Sequence, residues 1–113
     1  MQAKLKHIVL ACSNAGELAM QQDVLGEARP SVNITVATTG GQLEDILCRI
    51  TPDLIIVLRV STEKNGGENF LQVIRQNDRH DEIPVFVYTI TPGKKDLGDL
   101  LRKWRGIFSF FPL

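Results

Sequence analysis

Thr51-Pro52-Asp53-Leu54-Ile55-Ile56-Val57-Leu58 is the most apolar run in the chain. It is too short for an ordinary helix and rich in β-branched residues. Pro52 and Asp53 mark its start. A run of this kind reads as a strand buried on both faces. Such a strand needs cover above and below, which points to a parallel sheet between layers of helix. Arg59 and then Ser61-Thr62-Glu63-Lys64-Asn65-Gly66-Gly67 read as a polar loop at its C-terminal end. In open α/β sheets that edge is where ligands and chemistry sit.

The flanking sequence repeats the theme. Before the central run, His7–Ala11 predicts a buried strand, and Asn14 with Glu17 has the spacing of a capping box. A helix follows to about Glu27, with Leu18, Val24 and Leu25 turned inward. Pro30 stops it, Ile34–Ala37 predicts a strand, and Thr38-Thr39-Gly40-Gly41 reads as a loop. Leu43, Ile46, Leu47 and Ile50 recur at helical spacing. After the central run, Gly66-Gly67 opens a helix with Phe70, Leu71 and Ile74 as its apolar stripe, ending near Asn77-Asp78. Pro84 begins the strand Val85–Ile90, a position where proline is tolerated. Leu97, Leu100, Leu101 and Trp104 predict a further helix, closed by Gly106, and Ile107–Phe111 a last strand. The resulting βαβαβαβαβ pattern predicts a doubly wound, five-stranded parallel sheet, α/β in class, because crossovers of this length are right-handed and helical.

The totals exclude several classes. A chain of 113 residues is one domain, residues 1–113, with no internal repeat or linker. Thirteen basic residues balance thirteen acidic ones, so no global field recruits nucleic acid or an anionic membrane. No apolar run approaches the roughly 20 residues of a membrane helix, and the first residues lack a secretion signal. The two cysteines, Cys12 and Cys48, make no disulfide framework, so a reducing, cytoplasmic setting is expected.

Three segments, in this order, resemble the receiver domain of two-component response regulators. Pro52-Asp53-Leu54-Ile55-Ile56 is similar to the run into the family's phosphoacceptor strand. Gly66-Gly67-Glu68-Asn69-Phe70-Leu71-Gln72-Val73-Ile74-Arg75 resembles its glycine-led third helix. Ile83-Pro84-Val85-Phe86-Val87-Tyr88-Thr89 resembles its fourth strand and terminal hydroxyl. Phe111-Pro112 stands where the family has Lys-Pro, and the likeness runs from about His7 to Pro112. It implies a flavodoxin-like sheet of order 2-1-3-4-5, a bacterial cytoplasm and a role in signal transduction or phosphorelay.

The same alignment removes the family's chemistry. Receivers phosphorylate an aspartate with help from Mg²⁺, a lysine and a hydroxyl. Here the acceptor aligns with Leu58, the acidic pair with Cys12 and Ser13, and the lysine with Phe111. Only the hydroxyl survives, as Thr89, and a one-residue slip would put Arg59 at the acceptor position, to no better effect. The resemblance therefore implies a pseudo-receiver without metal, cofactor or catalytic residue, and no enzymatic activity is expected. The family's last helix is expected after Leu113: either it lies downstream, or the sheet face near Phe108, Phe110 or Phe111 is open for self-association or for docking to a partner. Lys94, Lys95, Arg102, Lys103 and Arg105 cluster around the last predicted helix, where receivers meet a signalling kinase or output module. A solvated face of mixed charge, with Asp96 and Asp99, is the simpler reading.

Two other functions compete. Cys12, between a strand end and a helix N-terminus, looks somewhat like the phosphoryl-accepting cysteine of phosphotransferase IIB components, and a helix dipole activates a thiol so placed. The arginine that a cysteine phosphatase needs six residues later is Leu18 here, which favours an inert, partly buried thiol. Cys48 reads as packing. His7 and His80 have no ligand-type neighbours at metal-binding spacing. The remaining option is a small-ligand sensor lined by Cys12–Asn14, Arg59–Thr62 and Thr89–Thr91, against which stands the plainer reading of connecting loops.

Overall fold

The computed structural model describes residues 6–28, 30–60, 68–76 and 83–90. They form β1 (His7–Cys12), α1 (Ala15–Ala28), β2 (Asn33–Ala37), α2 (Gly40–Arg49), β3 (Leu54–Val60), α3 (Glu68–Arg75) and β4 (Val85–Ile90). The strands make one sheet of order β2-β1-β3-β4, and every neighbouring pair is parallel. This is the expected doubly wound α/β arrangement. The helix expected over Leu97–Trp104, the strand Ile107–Phe111 and the loop Ser61–Gly67 lie outside the described residues.

The strand order dictates where the helices go. The chain steps from β1 to β2 in one direction, then crosses back past β1 to β3 and on to β4. Crossovers of a single hand must change face when the direction of travel reverses. Accordingly α1 packs on one face of the sheet, while α2 and α3 pack on the other. The first face carries Ile8, Leu10, Leu54, Ile56, Leu58 and Val60 against Leu18, Val24 and Leu25 of α1. The second carries Val9, Ala11, Ala37, Ile55 and Val57 against Leu43 and Leu47 of α2 and Phe70 and Ile74 of α3. β1 and β3 are thus covered on both sides, which is why Ile8–Cys12 and Leu54–Leu58 are unbroken apolar runs and not alternating. Ile8 to Cys12 and Leu54 to Val57 have no solvent exposure. Truncating one such Leu or Ile to Ala costs about 2–5 kcal/mol, a large part of the ~5–15 kcal/mol that holds a domain together.

Local signals start the helices. The side-chain Oδ1 of Asn14 accepts the Glu17 N–H at 3.1 Å, as its spacing predicts. α2 begins three residues before the first residue of its apolar stripe, because Thr38-Thr39-Gly40-Gly41 is a helix start and not a loop. Thr39 is extended (φ −134°, ψ 158°) and its Oγ1 accepts the Gln42 N–H at 3.1 Å. Gln42 reaches back so that its Oε1 accepts from Thr38 N at 2.8 Å and from Thr38 Oγ1 at 2.9 Å. One residue beyond buried Leu47, Cys48 turns outward and is exposed, which corrects its reading as a packing residue. On α1, Gln21 is only 2% exposed: it stands between Leu18 and Leu25 on the inward stripe despite its polar side chain.

At the N-terminal edge of the sheet a carboxylate ties two strands together. Asp53 Oδ2 accepts the backbone N–H groups of Lys6 at 2.8 Å and His7 at 3.0 Å. In return the Asp53 N–H donates to the His7 carbonyl at 2.9 Å. These bonds align β3 with β1 before the ladder proper begins at Ile8↔Leu54. Beside them His7 Nε2 lies 2.6 Å from Thr35 Oγ1, linking β1 to β2. His7 is thus engaged in the sheet.

Candidate functional site

Direction reverses between β1 and β3, and a crevice opens at such a switch point beyond the carboxyl ends of the strands. The elements that reach it are the ends of β1, β3 and β4 and the start of α1. β3 runs two residues further than its most apolar stretch, so Arg59 and Val60 belong to the strand and not to the following loop. The reason is alternation: Val60 is again buried on the α1 face, while Arg59 between them is half-buried on the other.

Register places the expected site residues. Cys12 on β1 lies opposite Leu58, and Leu58 lies opposite Tyr88 on β4. The three form one row across the sheet. Cys12 is fully buried and Leu58 is 2% exposed, and both belong to the core on the α1 side, with Tyr88 packed partly against them. Ser13 follows the row and is exposed, and half-buried Asn14 caps α1. Thr89 is one row further on, opposite Arg59, and exposed. Strand alternation therefore puts Leu58 and Thr89 on opposite faces. The structure brings Cys12 and Leu58 together and pairs Thr89 with Arg59 instead. Phe111 lies outside the described residues, as do Lys94, Lys95, Arg102, Lys103, Arg105, Phe108 and Phe110.

The chemistry of this row follows from its atoms. A thiol, an isobutyl group and a phenol ring offer no hard anionic oxygen, which Mg²⁺ requires. Asp53, the acid that precedes β3, stands at the far end of that strand and is occupied with backbone N–H groups. Among the described residues no group of three His, Cys, Asp or Glu side chains gathers to hold a metal ion. A thiol without solvent exposure also gives a phosphoryl donor no line of approach, so burial weakens the Cys12 nucleophile reading further. Arg59 reads in the sequence as a loop residue; the signal that places it on the strand is the continuing alternation Val57, Arg59 against Leu58, Val60.

Against known proteins, no family model and no curated sequence matches. Solved structures do. The phosphorylated cyanobacterial phytochrome response regulator RcpA superposes with a TM-score of 0.70 at 21% identity, over 96% of this chain and 94% of that one. The chemotaxis response regulator CheY4 of Vibrio cholerae gives a TM-score of 0.67 at 12% identity, over 92% of this chain and 99% of that one. A signal receiver domain of a histidine kinase from Syntrophus aciditrophicus gives 0.60 at 17% identity, over 87% and 91%. At these identities the likeness is one of fold: the chain has the flavodoxin-like fold of response regulator receiver domains. Among the described residues no helix is long and apolar enough to cross a membrane.

Proposed function

We propose that the chain is a receiver-type signalling domain that works without phosphorylation, through protein–protein contacts in a two-component-type regulatory system. The observation that carries this reading is the buried row Cys12–Leu58–Tyr88 at the sheet's carboxyl edge. The position that aligns with the acceptor is filled by a core side chain, and the positions that align with the metal ligands hold a thiol and a hydroxyl. What remains of a receiver is its scaffold and its outer surface. The fold shared over nearly the whole chain with response regulators supports the signalling context.

In this reading the domain is a binding module and not an enzyme, and it uses no metal or cofactor. Its partner is a signalling kinase or output module, or a second copy, and the candidate contact residues are Lys94, Lys95, Arg102, Lys103, Arg105, Phe108 and Phe110. It works in the cytoplasm. Incubation with acetyl phosphate and Mg²⁺, followed by intact mass, tests the central point. An unchanged mass is expected. A phosphoryl adduct would overturn the reading, and its loss in Cys12→Ser would move the chemistry to the thiol.

A further inference from the structure

We draw no further inference here: the strongest candidate, the exposed strip of β4 formed by Val87, which is 43% exposed, and Thr89 beside Arg59, carries nothing because nothing in the structure shows what covers it.

Discussion

The two ends of β3 are built on opposite principles. At the N-terminal end Asp53 keeps its carboxylate and spends it on two backbone N–H groups of the neighbouring strand. Toward the C-terminal end Leu58 is buried in one register row with Cys12 and Tyr88. An acid is kept where it aligns strands, while the row Cys12–Leu58–Tyr88 near the edge where ligands usually bind is core packing. The difference teaches that the frame and the chemistry of such a sheet are separable. Bonds that help set register lie at one edge, and they make no use of the side chains in the buried row at the other.

The largest expected effect comes from forcing the two ends to resemble each other. Leu58→Asp puts a carboxylate at a 2% exposed position with no cation opposite it in the strand register. Burying an unpaired charge is expected to cost on the order of 3–5 kcal/mol, read as a fall in the urea midpoint or loss of a cooperative transition. Burial raises the pKa of such a carboxyl in the folded state. The folded form then holds a proton that the unfolded form has released, so the deficit relative to the parent grows as pH rises and shrinks toward acid. A variant as stable as the parent at neutral pH would show that the row is open to water.

Asp53→Ala tests the other end. It removes the acceptor of two charge-assisted hydrogen bonds and is expected to cost about 2 kcal/mol by urea unfolding. Asp53→Asn, which retains an oxygen acceptor, should lose less. Equal stability of Asp53→Ala and parent would remove the contrast between the two edges.

Thr39→Ala takes away the α2 cap at a site belonging to neither edge's strand chemistry, with an expected loss of about 1 kcal/mol. The smallest effect is expected from Asp45→Ala. Its ion pair with Arg49 is 2.8 Å long, yet the two side chains are 69% and 74% exposed, and an exposed i,i+4 pair contributes roughly 0.3–0.5 kcal/mol at most.

Much of the frame was legible from local pattern. β4 is where Pro84 predicts it, and Leu18, Val24 and Leu25 face inward as expected, because proline geometry and helical periodicity act over a few residues. The central run was harder to bound. Read from Thr51 to Leu58, it is paired as a strand from Leu54 to Val60, since Asp53 is used in a bend against β1 and Arg59 is tolerated at a half-buried strand position. The start of α2 reads as a loop in the sequence because paired glycines usually mark one. The Thr39…Gln42 spacing was the competing signal, and capping prevailed. The Asp53 clamp joins residues 46 and 47 positions apart, and no local pattern announces a contact at that distance. For the site, the resemblance points to Leu58 and Thr89 alike, but only the sheet register separates the two and sets Arg59 opposite Thr89.

In the proposed function the carboxyl edge of this sheet takes up neither magnesium nor a phosphoryl group. The most direct test is an amide NMR titration with Mg²⁺ and then beryllofluoride, a mimic of the phosphoryl group, followed at Cys12, Ser13, Leu58, Arg59 and Thr89. The expected result is that these resonances stay in place at millimolar ligand. Saturable shifts confined to them, with stoichiometric binding, would contradict the account.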